Sequence, residues 1–215
     1  MANKPARHKS NRAWIDRHIN DPFVRQAQQQ GYRSRAAYKL LELIETERLA
    51  RPGQVVVDLG SVPGAWSQVL ARRVGASGRV LALDILPMEP IAGVEFLQGD
   101  FRDDAVVAAF EALLGEAPIP LIVSDMAPNL SGVAVADAAR MGHLAELAID
   151  FAASRLTPEG VLLVKCFHGS GFSQLVQQFK AVFRQVKERK PQASRAESAE
   201  TYLVGRGLKV GATTG

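Results

Sequence analysis

The chain has 215 residues, a net charge of +4, and a composition of 47% hydrophobic and 22% charged residues. These values are ordinary for a soluble protein of one globular domain. No apolar run approaches the roughly 18 to 20 residues of a membrane span, and no hydrophobic segment follows the basic N-terminus, so the sequence predicts a cytoplasmic protein with no membrane partner. The single cysteine, Cys166, excludes an internal disulfide and argues against a structural metal site.

The positive charge is concentrated at the N-terminal end. Residues 1–35 contain eight lysines and arginines against two aspartates, a local balance of +6 that leaves −2 for the remainder. Trp14, Phe23 and Tyr32 are interspersed among these cations. Cations suit phosphates and flat rings suit unstacked bases, which predicts an RNA-contacting arm, with a solubilising tail as the alternative. The predicted organisation is an arm at 1–30, a main domain at 31–209 and a tail at 210–215.

The predicted elements alternate between helices and strands. Ser34 can cap a helix over about 35–49, and Pro52 and Gly53 precede a first strand that contains 55–57. The later elements are a helix at 65–74, strands at 79–84 and 94–97, a helix at 104–114, a strand at 121–124, a helix at 136–156, a strand at 161–164, a helix at 172–183, and a terminal hairpin of 185–189 and 201–206. This order predicts an α/β fold: a seven-stranded, mostly parallel sheet with helices on both faces, the layout of the class I, Rossmann-like methyltransferases.

The loop after the first strand, residues 58–68 (DLGSVPGAWSQ), predicts a cofactor site. Its glycines permit a close backbone approach, and the following helix offers unpaired N–H groups. Asp84 lies 20 residues beyond Gly64, where an acidic side chain can bind the hydroxyls of a ribose. Because the loop lacks both the G-x-G-x-x-G spacing and the G-K-[ST] ending, it disfavours an NAD-dependent oxidoreductase and a polyphosphate ligand. S-adenosylmethionine is the predicted cofactor.

Polar residues stand at the ends of four predicted parallel strands: Asp58, Asp84, Asp125 and Lys165. Ligands of open α/β sheets bind at this edge, so these side chains are candidates for one site. Lys165 follows four aliphatic residues. Partial desolvation would lower the pKa of such a lysine from about 10.4 and allow it to accept a proton.

Five segments resemble the FtsJ/RrmJ family of RNA 2′-O-ribose methyltransferases. They are SRAAYKL at 34–40, the loop at 58–68, SDMAPN at 124–129, VKCF at 164–167 and ETYLV at 200–204. In order and spacing they are similar to the bacterial branch that methylates a uridine of 23S ribosomal RNA, over about residues 8–209.

The resemblance implies a catalytic tetrad of Lys39, Asp125, Lys165 and Glu200, with Lys165 as the proton acceptor. The two acids would fix the ammonium groups, and Lys39 would hold the nucleotide and depress the pKa of its neighbour. Glu200 is preferred to Glu197 because it directly precedes the 201–204 pattern. The implied cofactor residues are Gly64, Trp66, Asp84, Asp100 and Asp125, with the ring of Trp66 bordering the ligand and no metal.

Two further residues complete the expected site. Where the family commonly has a second glycine, this chain has Ala65, which therefore needs a φ angle that alanine can adopt. His168, beside the site, is expected to be a hydrogen-bonding neighbour and not a catalyst.

The expected function is S-adenosylmethionine-dependent 2′-O-methylation of a ribose in 23S rRNA, within the 50S ribosomal subunit, by a monomer. The alternatives are the same chemistry on tRNA or an mRNA cap, and a non-catalytic RNA-binding factor for ribosome assembly.

Overall fold

The computed structural model describes residues 21–128, 132–195 and 198–211. Most of the predicted arm lies outside these ranges, as do Asn129, Glu197 and residues 212–215 of the predicted tail. The helices are α1 (Pro22–Gln29), α2 (Ala36–Glu47), α3 (Ala65–Val74), α4 (Asp104–Leu114), α5 (Ala134–Arg155) and α6 (Phe172–Val182). The strands are β1 (Val55–Leu59), β2 (Arg79–Asp84), β3 (Val94–Gln98), β4 (Ile119–Ser124), β5 (Leu156–Phe167), β6 (Phe183–Arg189) and β7 (Glu200–Leu208).

The strands form a seven-stranded sheet in the order β3-β2-β1-β4-β5-β7-β6. β1 to β5 pair in parallel, whereas β7 runs antiparallel to both of its neighbours, β5 and β6. The predicted α/β class and the terminal hairpin are confirmed.

Helices cover both faces of the sheet. On one face the side chains of alternate strand residues pack with α4, α5 and α6, as Leu83 and Leu162 do. On the other face the intervening residues, such as Val56 and Leu163, pack with α2 and α3. Consecutive side chains of a strand point to opposite faces, so alternate residues of each strand pack in the two different cores.

Cys166 packs in this core as a small hydrophobe. Its side chain is buried in β5, and its Sγ lies 3.5 Å from the carbonyl oxygen of Thr201 as a weak donor. Burial raises the pKa of the Cys166 thiol to about 12, which removes the thiolate that a nucleophile needs.

Two features differ from the sequence expectation. Helix α1 was not predicted, although Asp21 caps it by accepting a hydrogen bond from the Phe23 N–H at 3.0 Å and Pro22 occupies its first turn. Strand β5 begins five residues earlier than expected, because the backbone of Leu156 pairs with Ile119 before the turn-forming residues Pro158 and Gly160. Long-range pairing therefore outweighs a local turn signal.

No helix among the described residues is long and apolar enough to cross a membrane.

A matched pair of glycines tests the packing of the sheet. A Cβ on Gly205 of β7 would lie 2.4 Å from the ring of buried Phe183, whereas a Cβ on Gly142 of α5 would meet no atom within 4 Å. We expect Gly205→Ala to lower the free energy of unfolding by about 1 to 3 kcal/mol through overpacking. Gly142→Ala should raise it by about 0.5 to 1 kcal/mol through helix propensity. Urea denaturation measures both, and equal effects of the two substitutions would contradict this packing.

Candidate active site

Four strands direct their polar end residues to one face of the sheet. In β1 and β5 the apolar neighbours Leu59 and Val164 face α4, α5 and α6. Asp58 and Lys165, one position away from them in the alternation, therefore face α2 and α3. The same alternation orients Asp84, after Leu83, and Asp125, after the Ile122–Ser124 end of β4. The predicted strand-end residues thus share one edge and one face.

The first pair of the predicted tetrad joins α2 to the start of β7. Lys39 Nζ lies 2.6 Å from Glu200 Oε1 and donates to Oε2 at 2.8 Å. Glu200 Oε1 also accepts hydrogen bonds from Ser194 Oγ at 2.9 Å and from the Tyr202 hydroxyl at 3.2 Å. Burial alone would raise the pKa of Glu200, but the ammonium groups of Lys39 and Lys165 and the hydroxyl of Ser194 outweigh it and hold the pKa below its usual range. Glu200 is therefore an ionised anchor.

The second pair lies at the ends of the neighbouring strands β4 and β5. Lys165 Nζ lies 3.0 Å from Asp125 Oδ1 and donates to the backbone carbonyl of Asp125 at 2.7 Å. Burial raises the pKa of the Asp125 carboxyl, and the ammonium groups of Lys165 and Lys39 oppose that rise. The charge of Lys39 opposes the rise in the pKa of Asp125, and the charge of Lys165 helps to lower the pKa of Glu200. The two pairs therefore form one electrostatic cluster. The structure brings all four predicted residues together.

The loop between β1 and α3 approaches its neighbours closely at two glycines. Gly60 has a φ of +75°, and a Cβ there would lie 2.6 Å from the backbone nitrogen of Met126. Gly64 has a φ of +102° and directly precedes α3. Ala65 is the first residue of α3, and Arg48 is the one non-glycine residue with a positive φ in the described ranges. The expectation that Ala65 adopts a φ suited to alanine is confirmed.

Two buried polar atoms beside this loop fit a polar ligand. Asp58 is fully buried, and its Oδ2 accepts a hydrogen bond from Ser67 Oγ at 2.6 Å. Within the described part of the chain, Asp58 Oδ1 and Ser61 Oγ have no hydrogen-bond partner. Buried polar atoms are nearly always paired, so these two fit the amino and hydroxyl groups of a cofactor such as S-adenosylmethionine. Burial, reinforced by Asp125 and Asp84 and opposed by Ser67, raises the pKa of Asp58 to about 7.

Asp84 is the last residue of β2, and Asp100 lies two residues after the end of β3, at the same edge of the sheet. Asp84 accepts hydrogen bonds from the N–H groups of Val62 at 2.8 Å and Leu86 at 2.9 Å, so its carboxylate ties the β1–α3 loop to the segment after β2. Each oxygen keeps a lone pair for a hydroxyl. Asp100 binds the guanidinium of Arg102, with Nη2 2.6 Å from Oδ2, which lowers the pKa of Asp100.

This geometry agrees with the comparison to known families. The profile of the FtsJ-like methyltransferases matches residues 32–208. The chain belongs to this family. Two similar bacterial proteins are both named ribosomal RNA large subunit methyltransferase E. The protein from Bordetella petrii is 59% identical over 209 residues, covering 95% of this chain and 99% of its own, and that from Paraburkholderia xenovorans is 56% identical over 216 residues, covering 95% and 98%.

Solved structures give the same picture of the fold. A Plasmodium falciparum protein named as a ribosomal RNA methyltransferase superposes with a TM-score of 0.73 and 29% identity, covering 82% of this chain and 98% of its own. Fibrillarin from Aeropyrum pernix, solved with natively bound S-adenosyl-L-methionine, superposes with a TM-score of 0.54 over 72% of this chain and 67% of its own. At 11% identity, the fibrillarin likeness shows the fold alone.

The ring of Trp66, which the family resemblance places beside the cofactor, lies in the hydrophobic core. Its ring is 2% exposed and packs in the core, 5.8 Å from the ring of Tyr202 between centroids. Its Nε1 donates to the carbonyl of Ala36 at 2.9 Å. The ring therefore fills the core, because the second residue of α3 points toward α2 and the sheet, and a contact between Trp66 and the cofactor stays a prediction. Its backbone N–H lies in the first turn of α3, where N–H groups have no partner within the helix.

Other polar residues near the site contact protein side chains. His168 Nε2 lies 2.6 Å from Glu188 Oε1, and its ring stacks near Phe172 at 4.4 Å, so the predicted hydrogen-bonding neighbour is confirmed. Sequence reasoning missed Ser194 and Tyr202 as partners of Glu200. The position of Tyr202, two residues after Glu200 on the same strand face, was the available signal. No group of three or more His, Cys, Asp or Glu in the described ranges is arranged to hold a metal ion.

The raised pKa of Asp58 predicts a pH-dependent stability. Between about pH 4 and 7 the folded state holds a proton on Asp58 that the unfolded state has lost, so stability falls as the pH rises, by at most about 1.4 kcal/mol per pH unit. Asp58→Asn removes this titration. We therefore expect the free energy of unfolding of Asp58→Asn, relative to that of the wild type, to increase from pH 5 to pH 8 in urea denaturation without cofactor.

Asp100→Asn is the matched control. The pKa of Asp100 is lowered, so its linked stability change falls below this pH window. If the Asp58→Asn difference from wild type is the same at pH 5 and pH 8, the buried carboxyl does not titrate as described.

Proposed function

We propose that this protein transfers a methyl group from S-adenosylmethionine to the 2′-hydroxyl of a ribose in large-subunit ribosomal RNA, with a uridine of 23S rRNA as the target. The observation that carries the proposal is the cluster of two lysines and two acids, Lys39, Asp125, Lys165 and Glu200, beside the β1–α3 loop. Membership of the FtsJ-like methyltransferases and the names of the bacterial relatives support the choice of substrate.

The cofactor is held by the residues at the carboxyl edge of β1, β2 and β3. When bound, S-adenosylmethionine supplies an electrophilic methyl group. Asp84 takes the ribose hydroxyls, Asp58 Oδ1 and the loop up to Gly64 take the methionine end, and Asp100 lies near the adenine. The backbone N–H of Trp66 contributes a donor at the start of α3. Asp125, raised in pKa and beside Asp58, closes the methionine end.

Methylation of a hydroxyl releases one proton, which this chain must accept. Lys165 Nζ in its neutral form takes the proton from the 2′-hydroxyl, so that the oxygen attacks as the proton leaves. The Asp125 carboxylate lies 3.0 Å from Nζ, and the Asp125 backbone carbonyl accepts a hydrogen bond from Nζ at 2.7 Å, so these two contacts hold Nζ in place. Positioning of the hydroxyl accounts for much of the rate, since the leaving group is already good.

The RNA lies over the opening beside α2. Lys39 and Glu200 line this cleft together with Arg35, Arg195 and Ser198, which offers cations to the phosphates that flank the target ribose. Lys39, held by Glu200, keeps the nucleotide in place. The basic arm at 1–30 adds phosphate contacts to the domain at 31–209, and the chain acts as a monomer on the 50S particle. A ribosomal substrate locates the protein in the cytoplasm.

Methyl transfer to large ribosomal subunits tests this proposal. Labelled S-adenosylmethionine is incubated with 50S particles that lack ribose methylation and, separately, with bare 23S rRNA, and the product is mapped by nuclease digestion. We expect label on a ribose 2′-oxygen, at a higher rate on 50S particles. Label on a base would contradict the reaction. Cofactor binding with no transfer to any RNA would favour the assembly factor.

Lys165→Ala tests the proton acceptor in the same assay. Removal of a general base lowers kcat by about 10² to 10⁴-fold, and cofactor affinity should change little. Lys165→Arg, which keeps the charge but does not release its proton, should be equally inactive. Lys209→Ala is the control and should keep full activity. Lys209 lies away from the tetrad, and its Nζ donates to the Lys180 carbonyl at 2.5 Å. Activity within tenfold of wild type in Lys165→Arg would exclude the base role.

A further inference from the structure

Arg33 joins the two loops that border the proposed cofactor site. It lies in the linker between α1 and α2, and its guanidinium donates to three backbone carbonyls. Nη1 donates to Pro63 at 2.9 Å and to Glu89 at 2.8 Å, and Nη2 donates to Pro90 at 2.9 Å. Pro63 belongs to the β1–α3 loop, whereas Glu89 and Pro90 belong to the loop that follows Asp84. One side chain therefore holds both loops.

The backbone around Arg33 is itself fixed to α3. The Arg33 N–H donates to Gln68 Oε1 at 2.8 Å, and Gln68 Nε2 donates back to the carbonyl of Gly31 at 3.0 Å. Gln68 lies in the first turn of α3, where its own N–H donates to the carbonyl of Gly64 at 2.9 Å. The linker, the helix and the loop thus form one hydrogen-bonded unit, and the guanidinium cannot shift without disturbing the loop.

The guanidinium also packs directly against the last residue of the loop. A Cβ on Gly64 would lie 2.9 Å from Arg33 Nη1 and 2.5 Å from Ile91 Cδ1. On its other side the loop is held by Asp84, which accepts the Val62 N–H at 2.8 Å. The proposed cofactor residues Gly64 and Asp84 are therefore set at a fixed separation by Arg33 and by the segment it binds.

None of the ion pairs within the described ranges involves Arg33. Within the described part of the chain, the hydrogen bonds of its guanidinium all go to carbonyl oxygens, which a planar fork with several N–H groups can bind at once. A lysine has the same charge but a single nitrogen, and it cannot reproduce three bonds in that geometry. Binding these three carbonyls at once therefore requires the guanidinium of an arginine.

We propose that Arg33 is a positioning residue for the cofactor: it fixes the β1–α3 loop and the loop after β2 in the arrangement that binds S-adenosylmethionine. This inference rests on the proposed function for the identity of the cofactor. Loss of Arg33 weakens cofactor binding and leaves the chemical step at Lys165 in place. Because the same linker leads into α2, the anchor of the cofactor loop is also continuous with the helix that carries Lys39.

Calorimetric titration of S-adenosylmethionine and S-adenosylhomocysteine into the RNA-free protein tests this role. We expect Arg33→Lys to raise both dissociation constants about tenfold or more, as expected for lost hydrogen bonds of a charged donor, and Arg33→Ala at least as much. The matched control is Arg79→Lys. Arg79 binds Glu95 and the Leu113 carbonyl at the amino end of β2, away from the site, and its substitution should change cofactor affinity less than twofold.

Steady-state kinetics and thermal unfolding separate positioning from general stability. In Arg33→Lys we expect a raised KM for S-adenosylmethionine, a kcat within about threefold of wild type at saturating cofactor, an unchanged KM for RNA, and a melting temperature no lower than that of Arg79→Lys. Wild-type cofactor affinity in Arg33→Lys would overturn the proposal, as would equal losses of affinity in Arg33→Lys and Arg79→Lys. A raised KM for RNA with unchanged cofactor affinity would also overturn it and assign Arg33 to the RNA.

The binding measurement needs no RNA, so it separates the two proposals. If the wild type binds the cofactor in an Arg33-dependent way but methylates no ribosomal RNA, the positioning role stands and the substrate proposal fails. If the wild type does not bind S-adenosylmethionine, both are overturned.

Discussion

The site depends on the alternation of side chains along four parallel strands. Val57 and Leu59 are buried against α4, α5 and α6, which forces Asp58 to the opposite face of β1. In β5, Val164 and Cys166 are buried on that same side, which forces Lys165 to the opposite face. Because the side-chain period of a strand is two, a register shift of one residue would bury the charged groups in the apolar core. The hydrophobic core therefore fixes the positions of Asp58 and Lys165 at this edge of the sheet.

A second constraint holds the helix that carries Lys39 against the strand that carries Glu200. Glu47, at the end of α2, is buried, and its carboxylate lies 2.5 Å from Arg189 Nε and 3.3 Å from Lys187 Nζ on β6. Arg206 of β7 donates to the Glu47 carbonyl at 2.7 Å. Lys39 and Glu47 lie eight residues apart on one helix, about 12 Å along its axis. The ion pairs of Glu47 thus hold the C-terminal end of α2 against the β6–β7 hairpin, and the Lys39–Glu200 pair holds its N-terminal half against the start of β7.

Local patterns predict the elements well and the contacts between them poorly. The bounds of α3 and α4 follow from glycine stops and apolar spacing, and the sequence alone predicts both as the structure has them. The start of β5 depends on Ile119, a partner distant in the chain, and is mispredicted for that reason. The packing of the Trp66 ring against Tyr202 is likewise a long-range contact that local patterns do not indicate. The Lys39–Glu200 pair joins residues 161 positions apart, and only the resemblance to a family could indicate it. The three carbonyls bound by Arg33 have no side-chain signal in the sequence at all.

The charge balance of the tetrad explains why its members occur in pairs. Lys39, Lys165, Asp125 and Glu200 have half-buried or buried side chains, and two ammonium groups face two carboxylates. Desolvation makes such pairs poor contributors to stability compared with apolar residues of similar volume. Removal of one partner leaves a buried charge without compensation, which costs far more than the pair contributes. The proposed methyl transfer, in which a hydroxyl must lose a proton, therefore explains this arrangement better than the needs of the fold, which the adjacent apolar core already satisfies.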